Sequence, residues 1–495
     1  MTARRPEQVS AAPVDPPAFF DAGQSVSAAW DVWWSLHAGP ARVEQLAQVR
    51  LAELIGFARQ HSAFYRHLYR RLPADERNLS RLPPITKGEL MAHFEASLTD
   101  PEVTRAVAHR FVADPRRVGQ PLLGRYAVWT SSGTTGEPGI FVHDGNALAV
   151  YDALEVVRFR RLGSPLALAA AYLASDRYAL LAATGGHFAG HAMLERLRAL
   201  SPWLGERARV FSILESTPRI TAQLNEYQPT LLATYPTAAS LLAEEQQAGR
   251  LAIRPREIWT GGERLSGAQR SLLARVFGAE VRDGYGASEF LAMAWDCGYG
   301  ALHLNADWIV LEPVDRDCRP VLPGVASHTV LLTNLANRVQ PLIRYDLGDS
   351  VTLLDRPCAC GSAFPAIRVE GRCDDVVGVR AASGDLVKLL PLALTTVLED
   401  EAGVHRFQVI QASATELILR LDPQRVGVGA EQRCRESLRR FLDAQGVPNV
   451  GIRIERRDLQ PHPVSGKLRR IIAIADAGPA EKRDAPLSAG TADRG

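Results

Sequence analysis

Between Leu166 and Phe277, short apolar runs alternate with stretches of helical spacing, and this rhythm restricts the fold more than any other feature of the chain. Leu166–Leu173, Thr230–Thr234 and Glu257–Trp259 read as buried strands. The intervening spacing predicts helices near Ala189–Leu200, Pro236–Ala248 and Ser266–Phe277. Strands separated by helices pack as a largely parallel sheet, so this part of the chain is expected to be an α/β sandwich. At 495 residues the chain is too long for one ordinary core, and two or more domains are expected.

The flanking segments have other patterns. Leu46, Val49, Leu51, Leu54 and Phe57 predict a helix over Val43–Tyr69. The Leu82-Pro83-Pro84-Ile85-Thr86-Lys87 stretch breaks it, and Thr86 can cap a new helix through Leu90 and Phe94. Asp144 can cap another that carries Leu148, Tyr151, Leu154 and Val157. From Leu304 to Leu354 closely spaced strands, such as Trp308–Glu312 and Ser327–Thr333, suggest a β-rich subdomain. Residues 1–40 read as an irregular leader and 478–495 as a disordered tail. The expected fold class is α/β: a large N-terminal domain over 41–372, of stacked α/β subdomains plus the β-rich one, and a small mobile α+β C-terminal domain over 373–477.

Composition narrows the partners. A net charge of +2 gives no electrostatic case for nucleic acid or an anionic membrane, and no apolar run is long enough to span a bilayer. The first 22 residues have no apolar signal-peptide core, and six cysteines in so long a chain make no disulfide framework. The expected location is cytoplasmic, with thiols reduced or ligating metal.

Val128–Gly139 places Ser131, Ser132, Thr134 and Thr135 among Gly133, Gly136 and Gly139, straight after an apolar run. Glycine lets backbone approach a ligand, and hydroxyls with free N–H groups donate to phosphate oxygens, so this composition suits a polyphosphate cradle. It is not a Walker A loop, because no Gly-Lys-Ser/Thr ends it.

Five segments in fixed order resemble the adenylate-forming superfamily of acyl-CoA synthetases, nonribosomal adenylation domains and luciferases. They are Thr130–Gly139, Asp283–Glu289, Arg344–Asp349, Gly371–Asp375 and Pro463–Lys467. Phe64-Tyr65-Arg66, the Leu82–Lys87 stretch and Pro341–Tyr345 are similar to its phenylacetate–CoA ligase branch. The resemblance covers roughly residues 40–475. It implies attack of a carboxylate on the α-phosphate of ATP with Mg²⁺, giving an acyl-adenylate and pyrophosphate, then transfer to coenzyme A. An amine, a carrier-protein thiol, or transfer of AMP to a deazaflavin-type hydroxyl are the alternative outcomes. A non-catalytic nucleotide-binding protein is the rival from another class, and Lys467 with Glu289 argues against it.

The same resemblance implies roles for single residues. Ser131, Ser132, Gly133, Thr134, Thr135 and Gly136 would hold the β- and γ-phosphates, although many members end this loop in lysine where this chain reads Pro138-Gly139. Gly284, Tyr285 and Gly286 would lie against adenine, with Gly261, Gly262 and Glu263 as a second adenine-facing loop. Glu289 would hold Mg²⁺, since that ion keeps its waters and needs only one or two carboxylates. Asp349 would accept hydrogen bonds from both ribose hydroxyls, and Arg372 would contact ribose or phosphate. Asp374 matches the hinge. Lys467 would bridge the α-phosphate and the attacking carboxylate, two anions that otherwise repel. Tyr235-Pro236 and Gly186-His187 are expected walls of an apolar pocket for an aryl acid.

Cys297, His303, Cys358 and Cys360 form a separate constellation. Three thiolates and one imidazole make a tetrahedral zinc set, closed and therefore structural. Their spacing matches no standard finger, so unliganded thiols stay open as the other reading. Small-molecule acid and coenzyme A or another acceptor are the expected partners, in a monomer or homodimer.

Overall fold

The computed structural model describes residues 20–131, 139–160, 176–370, 376–404, 406–424, 426–459 and 470–473. A hairpin of β1 (Ala127–Thr130) and β2 (Ile140–His143) pairs Thr130 with Ile140 and Ala127 with His143, so the Ser/Thr/Gly segment is the link across its end. Both strands are buried nearly throughout, which fixes the register because a one-residue slip would turn apolar side chains outward.

The central sheet follows the alternation. Its parallel half comprises β3 (Tyr178–Ala182), β4 (Ala208–Ser212), β5 (Leu231–Thr234), β6 (Glu257–Thr260) and β7 (Glu280–Ala287), in spatial order β4-β3-β5-β6-β7. Crossover helices lie at Ala189–Leu200, Thr217–Tyr227, Pro236–Gln247 and Gly267–Phe277. The last begins with a reciprocal capping box between Ser266 and Gln269 and ends where Gly278 takes φ +64°. Past β7 the sheet becomes antiparallel through β8 (Phe290–Asp296) and β9 (Leu302–Leu304). A separate antiparallel sheet joins β10 (Ile309–Val314), β11 (Thr329–Asn334) and β12 (Tyr345–Asp346). The large sheet is completed by β13 (Val351–Leu353) and β14 (Ala366–Val369), with β14 on β9.

The C-terminal residues form β15 (Val377–Arg380) and β16 (Leu386–Leu389), then a four-stranded sheet. In that sheet β17 (Phe407–Ser413) pairs with β18 (Glu416–Leu421), flanked by β19 (Gly451–Arg456) and β20 (Ile471–Ile472). Lys388 Nζ meets Glu244 at 2.5 Å and Gln445 Nε2 donates to the Leu214 carbonyl at 3.0 Å, so this unit rests on the β3–β6 half. The overall class, mixed α/β with a large N-terminal part and a C-terminal unit, is the expected one.

Several expectations need correction. Residues 22–36, read as leader, are a helix, Ala22–Leu36, capped by Asp21 and buried through Ala28, Val32 and Ser35. The Val43–Tyr69 helix is two, Pro40–His61 and Ala63–Leu68, because Ser62 is extended and caps the second. Phe94 begins its own short helix. Val157 sits in a π-helical turn, Glu155–Phe159, that follows the Gly145–Leu154 helix. The expected strand Leu166–Leu173 and the tail 478–495 lie outside the described residues.

Asp307 anchors the N-terminal helices to the sheet. Arg158 donates to both its carboxylate oxygens at 2.8 and 2.6 Å, and Ser35 Oγ donates at 2.7 Å. Arg50 donates to the Asp307 carbonyl at 2.6 Å and lies 3.6 Å over the Trp308 ring. Burial alone would raise the Asp307 pKa, but Arg158, Ser35 and Arg50 together hold it below the usual range.

Candidate active site

The chain reverses across β3: β4 lies on one side of that strand and β5 on the other. Loops leaving the carboxyl ends of such strands diverge and leave a crevice. Here the crevice is a cavity of about 1110 Å³ between the loops after β3, β5, β6 and β7, the β12–β13 loop and the Leu392–Glu399 segment.

The loop after β6 is built by close backbone approach. Gly262 has φ +75°, and a Cβ there would come within 3.2 Å of the Tyr235 ring. Gly261 faces the Gly284 carbonyl at a similar distance. Glu263 accepts from Thr237 N at 3.0 Å and from Thr237 Oγ1 at 3.1 Å, so its carboxylate caps the Pro236–Gln247 helix while the residue lines the cavity. Tyr235 lines the cavity and its hydroxyl accepts from Ala183 N at 3.3 Å, which ties the β3 loop to the β5 loop.

Tyr285, on β7, donates from its hydroxyl to Asp349 Oδ2 at 3.0 Å. Asp349 follows a turn held by Asp346, which accepts from Thr329 Oγ1 at 2.5 Å and from Gly348 N at 3.1 Å. Gly286 admits no side chain, because a Cβ would fall 1.9 Å from the Leu291 carbonyl oxygen. That contact marks where β7 bulges out of register with β8 before Glu289.

Glu289 is buried and lines the cavity. Burial raises its pKa and nearby Asp349 adds to the rise, while the Tyr345 hydroxyl and Lys87 act the other way. Its backbone is clamped from below. Trp129 Nε1 donates to the Ser288 carbonyl at 2.6 Å, and His143 Nε2 donates to the same oxygen at 3.0 Å. His143 Nδ1 meets the Tyr151 hydroxyl at 3.1 Å, and burial pushes the His143 pKa down to about 3. A neutral imidazole stacked on Trp129 is therefore a support and not an acid or base.

Ser131 closes the mouth of the Ser/Thr/Gly loop: its N–H donates to the Gly139 carbonyl at 2.9 Å and its Oγ accepts from Gly139 N at 3.2 Å. Ser132, Gly133, Thr134, Thr135, Gly136, Arg372, Asp374 and Lys467 lie outside the described residues. Lys87 had no assigned role in the sequence, yet it lines the cavity beside Glu289. Thr86 and Glu89 form a capping box that sets Lys87 at the first helical position. Its Cε stands 3.0 Å from where a Gly139 Cβ would be, and the Phe141 ring is closer still. Glycine at the loop's end thus leaves room for a lysine delivered from a different element.

Three expected pocket residues do not line the cavity. Pro236 is the buried first residue of its helix. Gly186 packs against Phe188 and Asp400. The His187 ring points to the Asp114 carbonyl at 3.1 Å and packs on Phe111, while its own carbonyl accepts from Thr130 N at 2.8 Å. The Thr130 bond fastens β1 to the loop after β3 and the ring bond ties that loop to the Asp114 segment, so His187 lies behind the wall. The far end is lined instead by Phe159, Tyr178, Trp259 and Glu155, with Phe159 and Tyr178 centred 5.2 and 5.5 Å from Trp259.

Residues 102–321 match the AMP-binding enzyme family. A solved 2-hydroxyisobutyryl-CoA ligase in complex with 2-HIB-AMP and CoA, in its thioesterification state, covers 88% of this chain and 90% of its own at a TM-score of 0.55 and 21% identity. The fold is that of an adenylate-forming ligase, and residues 102–321 carry the AMP-binding enzyme match. An open conformation of that ligase aligns at a TM-score of 0.51 and 19% identity, over 88% of this chain and 91% of that one. Protein CapK of Staphylococcus aureus is 27% identical over 133 residues, 26% of this chain, and the match spans 28% of that relative's length.

The four Cys/His residues converge beside β8 and β9. Cys297 follows β8, His303 lies in β9, and Cys358 and Cys360 precede β14, which pairs with β9. Cys297 Sγ and Cys358 Sγ are 3.6 Å apart, Cys360 Sγ is 3.2 Å from His303 Nε2, and all four donor atoms lie within 4.8 Å of one another. A tetrahedron with Zn–S bonds of ~2.3 Å has edges of about 3.8 Å, close to the sulfur separation. His303 Nδ1 donates to the Phe364 carbonyl at 2.7 Å, which leaves the Nε2 lone pair facing the thiols. The donor set fits zinc. Among the described residues no helix is long and apolar enough to cross a membrane.

Proposed function

We propose that this chain activates an aryl carboxylic acid with ATP as the acyl-adenylate and passes the acyl group to coenzyme A, in the manner of phenylacetate–CoA ligases. The observation that carries the reading is one cavity lined by the Tyr285–Asp349 pair, buried Glu289, Lys87 and the mouth of the Ser/Thr/Gly loop. A flat aromatic face beside a carboxylate suits adenine and ribose. Asp349 exchanges the Tyr285 hydroxyl for ribose hydroxyls, and Gly261 and Gly284 keep the edge of the base free of side chains. Glu289 would hold Mg²⁺, which supplies charge neutralisation to the phosphates. Hydroxyls from Ser131 onward and the ammonium of Lys87 bind the outer phosphates, so Lys87 does what a loop-end lysine does in other members.

Attack of the acid on the α-phosphate builds negative charge that Lys467 neutralises while holding both anions in line. Arg372 steadies ribose or phosphate, and Asp374 is the pivot about which the 373–477 unit turns before thiol transfer. Cys297, His303, Cys358 and Cys360 hold a structural zinc ion that clasps β8–β9 to the loop before β14.

Pyrophosphate release measured across aryl and alkyl acids, with product mass, tests the reading. Release that needs an aryl acid, followed by a CoA thioester, is expected. AMP found joined to an acceptor, or no release with any acid, would sink it. Elemental analysis is expected to find about one zinc per chain, and none would remove the clasp.

A further inference from the structure

The far end of the cavity holds a carboxyl that the adenylation steps leave unused. Glu155 opens the π-helical turn Glu155–Phe159. Such turns insert one residue into a helix and recur at functional sites. This one divides its side chains: Arg158 turns into the core toward Asp307, whereas Glu155 and Phe159 line the cavity. The preceding helix starts just after β2, the strand that leaves the phosphate loop, and Glu155 lies roughly 15 Å further along its axis at 1.5 Å per residue.

The walls around Glu155 are apolar and flat. Phe159 stands edge-on to Trp259 at 85°, Tyr178 packs on the same indole, and Phe159 also presses on Gly284, where a Cβ would come within 3.1 Å. The charged and titratable groups that act on the Glu155 carboxyl are Arg160, Asp152 and Tyr178; the Arg160 guanidinium lies 5.4 Å from the Trp259 ring centre. Among the described residues, none donates a hydrogen bond to the carboxyl. Burial raises it to about 7 in spite of Arg160. Glu155 is half-buried, and a carboxyl that lines an aromatic slot without a protein donor can take its hydrogen bond from a bound molecule.

We propose that Glu155 is a specificity-determining residue: the acid activated here is an aromatic acid bearing a ring hydroxyl or ring amine at the end remote from its carboxylate, and Glu155 accepts the hydrogen bond from that group. The inference rests on the adenylation reading and adds the substrate class to it. A site built to hydrogen-bond a ring substituent rejects the analogue that lacks it, because the site's own polar group is then left unpaired.

The test compares phenylacetate with its 4-hydroxy and 4-amino derivatives, and benzoate with the matching pair, on the full chain and on Glu155→Gln and Glu155→Leu. Pyrophosphate release gives kcat and KM, and calorimetry gives binding of each acid without turnover. The donor-bearing acids are expected to exceed the plain ones at least tenfold in kcat/KM, mostly through KM. Glu155→Leu is expected to abolish or invert that ratio, with Glu155→Gln in between. The hydroxy and amino arms tell which donor is preferred. Equal ratios in the wild type and Glu155→Leu, with pyrophosphate released, would overturn the inference and leave the adenylation reading standing. Donor-dependent binding lost in Glu155→Leu, without pyrophosphate from any acid, would uphold the recognition and overturn the reaction. No discrimination by either measurement overturns it. If Glu155→Leu does not fold, as judged by circular dichroism, the near-isosteric Glu155→Gln and the wild-type ratio decide.

Discussion

One short turn lies between two carboxylates with opposite circumstances, Asp307 fully buried and Glu155 half-buried. Asp307, reached by Arg158, receives hydrogen bonds from an arginine and a serine and is held below the usual carboxylate pKa range. Glu155, three residues before Arg158, has no hydrogen bond among the described residues and is pushed up to about 7. The first is a satisfied centre that holds helices to a sheet, and the second is an acceptor left over in a cavity. Glu289 stands between the two: it faces the cavity and is raised by burial, but the Tyr345 hydroxyl donates to it. The contrast between Asp307 and Glu155 thus separates a scaffold centre from a cavity lining.

The largest effect expected from breaking this contrast is on the scaffold side. Asp307→Ala leaves Arg158 buried and uncompensated, so denaturant unfolding is expected to show a loss of about 3–5 kcal/mol. A change under about 1 kcal/mol would mean that the centre does not clamp the N-terminal helices. For the proposed chemistry, Lys467→Ala is expected to slow acyl-adenylate formation by roughly 10²–10³, about 3–4 kcal/mol, with ATP binding and melting nearly unchanged. Rapid-quench measurement of adenylate checks this, and an unaltered rate removes the lysine from the chemistry. Smaller again, Lys87→Ala is expected to raise the KM for ATP about tenfold, on the order of one charge-assisted hydrogen bond. Steady-state kinetics that show a normal KM would return the phosphate contacts to the loop alone.

The smallest effect concerns Asp400, a surface residue beside Gly186 whose carboxyl is raised to about 7 by partial desolvation and the flanking Glu399 and Glu401. A carboxyl raised on folding stabilises the folded form below its unfolded value near 4, and that contribution is lost as pH rises through about 7. Asp400→Asn is therefore expected to flatten the fall in melting temperature between about pH 4 and 7. Thermal melts with the same slope in both proteins would show that Asp400 titrates normally.

Legibility in the sequence followed how locally each feature is determined. β5 and β6 and the helices after them lie within a residue or two of expectation, because a buried parallel strand is apolar along its whole length. β3 and β4 were missed, since their burial is interrupted: Tyr178 and Leu180 are partly exposed and Arg209 is exposed. The Ala22–Leu36 helix was hidden by the Pro-rich residues before it and by apolar side chains, Val26, Trp30 and Trp34, that stay exposed. Tyr285, Asp349 and Glu289 were legible only through motif resemblance, and the cavity they share is a product of the whole sheet. Gly186-His187 carried a plausible pocket composition but fastens β1 from behind. Lys87, His143 and Glu155 gave no local signal, because what distinguishes them is a neighbour more than fifty residues away or a missing one.

The looser winding at Glu155–Phe159 bears on how such a chain can change its diet. Removing one residue there would rotate everything beyond it by about 100° about the helix axis, so Phe159 would leave the slot or Arg158 would lose Asp307. Exchanging side chains at Glu155 or Phe159 disturbs neither anchor. Relatives that retain the same length through this stretch can therefore diverge in the acids they accept, whereas insertions and deletions there are closed to them.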